Sequence, residues 1–160
     1  MTIRDKNLIG AAGEHLVLSR LLSREMLAAP APLGTRRADI LVMPLDDSEP
    51  RLIQVKTQSG PDLNKTWMLS VKHENETSDN FFYCFVDMNK EISKIYVIPS
   101  LTIATIIKED YVTWLETPGK GGKKHNPTDM RTISYQYKQE LNSAPAGWMD
   151  KYLENWDSLK

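Results

Sequence analysis

Asp39, Gln54 and Lys56 are the residues whose types and spacing could do chemistry together. Side chains of a strand alternate faces. In RLIQVKT, residues 51–57, Leu52, Gln54 and Lys56 therefore point one way and Ile53, Val55 and Thr57 the other. In ADILVMP, residues 38–44, Asp39 shares a face with Leu41 and Met43. If the two stretches pair through the turn DDSEP, residues 46–50, a carboxylate, an amide oxygen and an ammonium meet at one end of a sheet. A hard divalent cation such as Mg²⁺ takes oxygen ligands and keeps several waters, so one or two carboxylates, a carbonyl and a substrate phosphate suffice to hold it. A lysine beside it can hold a phosphate oxygen and offset the charge that develops at phosphorus under attack by water. These are the parts for phosphodiester hydrolysis.

The elements that must position these residues follow from periodicity. Residues 6–25 carry Leu8, Ala11, Ala12, Leu18, Leu21 and Leu22 at helical spacing and stop before Pro30 and Pro32. Glu14 lies on or beside that apolar stripe, where a carboxylate is partly desolvated and needs a partner, either the metal or Lys56. Gly10 and Gly13 flank it and would let the helix approach a sheet closely. Short extended runs follow at 38–44, 51–57, 66–72, 81–88 and 94–99, separated by the turn-rich stretches 46–50, 59–64 and 73–80. They predict a sheet of about five strands joined by antiparallel hairpins. Residues 101–110 predict a helix with Ser100 as N-cap, and 147–159 another with an aromatic face of Trp148, Tyr152 and Trp156. Helix, strands, then helices argue one mixed α/β domain spanning 1–160, with a helical C-terminal extension over about 100–160.

Composition sets outer bounds. A chain of 160 residues, 41% hydrophobic and 26% charged, can bury a core without staples. The apolar run 95–107 is too short for a membrane helix and is broken by Pro99, no secretory leader is readable, and one cysteine cannot form an internal disulfide. A cytoplasmic protein without a membrane partner is expected. The net charge of −1 leaves nucleic-acid binding to local patches rather than to the whole surface.

Glu14 in GAAGEH, Asp39 in ADILV, and Gln54 with Lys56 in IQVKT resemble the PD-(D/E)XK nuclease superfamily. Within it they are most similar to the archaeal-type Holliday junction resolvase and Mrr-like branches, the latter often carrying QxK. The chain is also similar to uncharacterised bacterial proteins with AGEH, ADI, IQVKT, FYCFVD and VIPS in the same order. The motif match covers residues 10–57, and a looser likeness reaches the C-terminal tryptophans. The resemblance implies a restriction-endonuclease-like αβββαβ core, a mixed central sheet flanked by helices, dependence on Mg²⁺ (or Mn²⁺), and DNA as substrate. It also implies roles. Glu14, Asp39 and Gln54 would bind metal directly or through water, with the Val55 carbonyl as a further ligand, and Lys56 would assist the attacking water. Gln54 departs from the acid most members carry: an amide keeps an oxygen but removes a negative charge. A catalytically inactive nucleic-acid or protein binding module of the same fold is therefore the alternative. A homodimer is expected if both strands of a duplex are cut.

Outside this set, Arg36 and Arg37 precede Asp39 and could grip phosphates, as could Lys72. GKGGKKH, residues 119–125, offers Lys120, Lys123 and Lys124 as a phosphate-contacting loop, but it is not a P-loop, since GxxxxGK[ST] is absent. His15, His73 and His125 lack zinc-ligand spacing, and Cys84 reads as core.

Overall fold

β-Branched and aromatic residues dominate the runs that form the main sheet, and their alternation decides which layer each side chain joins. The computed structural model describes residues 5–46, 48–60, 65–88 and 91–160. Helix α1 (Lys6–Leu22) leads, N-capped by Asp5, whose carboxylate accepts from the Asn7 N–H at 2.8 Å. Strands β1 (Leu27–Pro30), β2 (Ile40–Met43), β3 (Arg51–Gln58), β4 (Thr66–Ser70), β5 (Phe81–Asp87) and β6 (Lys94–Pro99) follow, then helix α2 (Ser100–Glu116) and β7 (Met130–Ser134).

The main sheet has the order β1-β2-β3-β5-β6, with every pairing antiparallel except β3–β5, which is parallel. The mixed α/β expectation holds, with two corrections to its detail. The stretch 66–72 is not in the main sheet: β4 stops at Ser70 and pairs with β7 in a separate two-stranded sheet, leaving the fifth place to the short strand β1. A parallel pair needs a crossover. Here β4 and one 3-10 turn, Val71–Glu74, carry it, where an αβββαβ order would place a helix. Of the expected turns, Asp47 and residues 61–64 lie outside the described residues.

All seven residues of β5 are buried and feed two cores alternately. Val17 and Leu21 of α1 pack with Ile53, Val55, Cys84 and Val97 on one face; Ile103, Ile106 and Ile107 of α2 pack with Tyr83, Phe85, Trp67 and Ile133 on the other. Cys84 is in the core, as its alternation suggested, and burial pushes its thiol pKa up.

The expected C-terminal helix does not form. Residues 147–159 make only two 3-10 turns, Asp150–Tyr152 and Trp156–Leu159. Between them Glu154 takes φ 50° and its N–H donates to the Ile95 carbonyl at 2.8 Å, so the chain rounds the free edge of β6. Trp148 thereby joins the α2-side core and Trp156 the α1-side core. Both tryptophans are core residues, but they share no face. Ser100 is not the N-cap of α2 either. Pro99 occupies that position, and the buried Ser100 hydroxyl donates to the Ser78 carbonyl at 3.1 Å and accepts the Ser78 N–H at 3.2 Å. Among the described residues no helix is long and apolar enough to cross a membrane.

Candidate active site

Strand β2 pairs with β3 only from Ile40–Val42 against Arg51–Ile53. Beyond Ile53 the two strands part, and the odd-numbered residues of β3, whose backbone groups face β2, lose their ladder partners. Asp39 fills the first gap. Its N–H donates to the Ile53 carbonyl at 2.8 Å, and its Oδ2 accepts the Val55 N–H at 2.7 Å. The Val55 carbonyl points the same way, since N–H and C=O of one strand residue face the same neighbour. The even-numbered residues face β5, as the bond from the Leu52 N–H to the Asn80 carbonyl shows.

Gln54 is thus fixed by its backbone while its side chain projects onto the α2-side face, beside Tyr83, its register partner on β5. Gln54 Oε1 is buried and has no hydrogen-bond partner, an arrangement that goes against the general satisfaction of buried polar atoms. Lys56 is half-buried one pleat further on. Burial lowers the pKa of its ammonium, Lys72 lowers it further, and the carboxylates of Asp39 and Glu76 oppose the shift.

Helix α1 lies on the opposite face, and its approach depends on Gly13. A Cβ there would overlap Thr57 Oγ1, so only glycine lets α1 lie this close to β3. Gly10 has no such role, since nothing lies within 4 Å of a Cβ built there. The next residue after Gly13, Glu14, feels the charge of Asp39 at the opening between β2 and β3. Its pKa is raised, first by burial and then by the charge of Asp39, while His15 opposes the shift. Glu14 is more exposed than the apolar-stripe reading implied.

Asp39 acts on both Glu14 and Lys56, Lys72 acts on Lys56, and Gln54 lies two residues before Lys56 on the same face of β3. Arg37, with φ 73°, is exposed and acts on the Tyr83 hydroxyl, and Arg36 beside it is exposed. Lys120, Lys123 and Lys124 are not part of this cluster. They are exposed in the loop after α2, where the His125 ring stacks on Trp114 at 4.1 Å.

Three residues of the cluster escaped the sequence reading. His73 and Tyr83 are buried, with ring centroids 6.0 Å apart, and His73 Nε2 and the Tyr83 hydroxyl lack partners as Gln54 Oε1 does. His73 Nδ1 lies 3.0 Å from both the N–H and the carbonyl oxygen of Ser70, so whether it accepts or donates follows the tautomer of the neutral ring. Burial lowers the His73 pKa and favours that neutral ring. Glu76 acts on Lys56, His73 and Tyr83 alike. Tyr83 becomes readable only once the parallel register of β3 and β5 is known, and His73 and Glu76 sit in a stretch whose polarity reads simply as a turn.

Among the described residues no group of three or more His, Cys, Asp or Glu side chains gathers as a ready metal cage. The oxygens offered are two carboxylates, one unpartnered amide and a backbone carbonyl. That set fits a cation that keeps waters and takes substrate oxygens, as Mg²⁺ does, and does not fit zinc. No protein-family model matches the chain, and no curated protein does. The solved structure of a bacterial homing endonuclease, I-Ssp6803I, is similar to it, with a TM-score of 0.51 over 97% of this chain and 91% of that one at 16% sequence identity. A match of that extent shows that the two chains share a fold.

Proposed function

We propose that residues 1–160 form one nuclease domain of the PD-(D/E)XK type that hydrolyses DNA phosphodiester bonds with Mg²⁺ or Mn²⁺ in a reducing cytoplasm. The observation that carries this reading is the opening where β2 leaves β3. There Asp39 is locked by the Val55 N–H, the Gln54 amide oxygen is buried without a partner, and a half-buried lysine stands alongside. The likeness to a homing endonuclease supports it at the level of fold.

Asp39, Gln54, Glu14 and the Val55 carbonyl would hold the cation, which when bound supplies an activated water and neutralises phosphate charge. Asp39 is preorganised, because one oxygen is held by the backbone while the other stays available. Lys56 donates to a non-bridging phosphate oxygen, and its partial burial strengthens that interaction over its value in water. Lys72 extends the positive field toward the incoming backbone.

The test is cleavage of supercoiled, linear, single-stranded and branched DNA with Mg²⁺ or Mn²⁺, beside Asp39→Asn and Lys56→Met. Divalent-dependent cleavage that both substitutions abolish is expected. No cleavage of any substrate, or cleavage indifferent to both changes, overturns the proposal. One observation favours a second reading, a catalytically silent binding module: Gln54 leaves the site one carboxylate short of a three-acid cage. Activity of the unaltered protein excludes that reading.

A further inference from the structure

A second cleft, of about 440 Å³, opens between α2 and β7 on the same face of the main sheet as Gln54 and Lys56. Its floor is a column of flat groups. The Arg131 guanidinium lies 3.3 Å from the Tyr111 ring centroid, Tyr111 stacks on Trp114 at 5.8 Å, and Trp114 stacks on His125. The column is rigid. Arg131 is paired with Glu74 and donates to the carbonyls of Thr128 and Met130 at 2.7 and 2.9 Å. The Tyr111 hydroxyl accepts the Thr128 N–H at 3.0 Å, and the Tyr137 hydroxyl accepts the Ser134 N–H at 3.1 Å. At the edge of the column stands a carboxylate, Asp110, which accepts from Gln139 Nε2 at 3.3 Å and whose pKa burial raises.

Flat aromatic walls with one hydrogen-bonding edge suit a planar nitrogen heterocycle. A carboxylate paired with an amide accepts from an exocyclic amino group, which cytosine, adenine and guanine have and thymine lacks. Two further observations select a nucleotide over another heterocycle. The His125 stack fixes the loop carrying Lys120, Lys123 and Lys124 at the end of the column, where exposed ammonium groups can meet phosphate. The turn Val71–Glu74 joins the two sites: Lys72 and His73 feel the charge of Lys56, while Glu74 pairs with Arg131.

We propose that this cleft binds an unpaired, amino-bearing nucleobase against Tyr111 and Trp114 with its amino edge on Asp110 and Gln139. The proposal rests on the nuclease reading for the source of the base, a strand splayed across the turn from Lys56. It would bias the enzyme toward DNA with unpaired nucleotides beside the cut.

The test uses dCMP, dAMP and dTMP with EDTA, so that no phosphodiester is present and no metal takes part. Trp67, Trp148 and Trp156 are buried and Trp114 is half-exposed, so tryptophan fluorescence reports on the cleft. Saturable quenching is expected, tighter for dCMP and dAMP than for dTMP by about tenfold, the scale of one good base-edge contact. Trp114→Phe should abolish the quenching, and Asp110→Ala should reduce the preference to nearly nothing. Should Asp110→Ala unfold, Gln139→Ala carries the same expectation. Absence of saturable quenching, quenching that survives in Trp114→Phe, or equal affinity for all three nucleotides overturns the proposal. DNA cleavage without nucleotide binding leaves the nuclease standing and removes the cleft; nucleotide binding without cleavage of any substrate does the reverse.

Discussion

Gly13→Ala should loosen the contact of α1 with β3 beside Glu14, and the structure fixes both its sign and its scale. The added methyl overlaps Thr57 Oγ1 and falls 2.9 Å from both Thr57 Cβ and Cγ2. Turning the threonine side chain moves Oγ1 and Cγ2 but leaves Cβ in place. Helix and strand must then part by roughly half an ångström to reach carbon–carbon contact distance. Such overpacking costs about 1–3 kcal/mol, offset by about 1 kcal/mol from the better helix propensity of alanine. A net loss of up to about 2 kcal/mol follows, a fall in Tm of up to about 8 °C for a chain of this size. Gly10→Ala, three residues earlier on the same helix with open space around it, should instead gain about 0.5–1 kcal/mol. Thr57→Ala should recover part of the Gly13→Ala loss, because it removes Oγ1 and Cγ2 and leaves Cβ. Urea denaturation of the four variants reads all of this. If Gly13→Ala is as stable as Gly10→Ala, the close approach of α1 to β3 is refuted, and with it the placement of Glu14.

Lys56→Met should abolish cleavage yet raise stability near neutral pH by about 1 kcal/mol, since it removes a half-buried charge. The folded pKa of Lys56 is depressed, so its favourable contribution is present above the unfolded value and lost as pH falls through the folded one. The gain from methionine should therefore shrink as pH rises toward about 10, and denaturation midpoints that drop at neutral pH would count against the reasoning. Asp39→Asn keeps an acceptor for the Val55 N–H and should lose activity with little loss of stability, whereas Asp39→Ala strands that N–H and should cost about 1–3 kcal/mol more. Gln54→Glu adds a carboxylate where an unpartnered amide oxygen stands, and should tighten Mn²⁺ binding by titration calorimetry; unchanged affinity would remove Gln54 from the ligand set.

Much of the site was legible because strand parity is local. Gln54 and Lys56 fall on one face, and Ile53 and Val55 on the other, whatever the strand pairs with. Other features depend on which segments pair. β1 is four residues long and mostly exposed, and β7 is five, so neither shows a period. The parallel pairing of β3 with β5 requires a crossover that no spacing announced, and that register alone brings Tyr83 beside Gln54. Trp148, Tyr152 and Trp156 carry helical spacing by coincidence. The hydrogen bond from Glu154 to Ile95 at the edge of β6 overrides it and sends the two tryptophans to opposite faces. Of the two glycines read beside Glu14, Gly13 alone lets α1 approach the sheet, while Gly10 faces open space.

The central claim is that Asp39, Gln54 and Glu14 hold a divalent cation beside Lys56 at the point where β2 leaves β3. Anomalous diffraction from a crystal soaked in Mn²⁺ measures this directly. The account requires a manganese peak bridging the Asp39 carboxylate and the Gln54 amide oxygen, weakened in Asp39→Asn. A well-occupied peak elsewhere on the chain, or no peak at that opening even in Gln54→Glu, would contradict it.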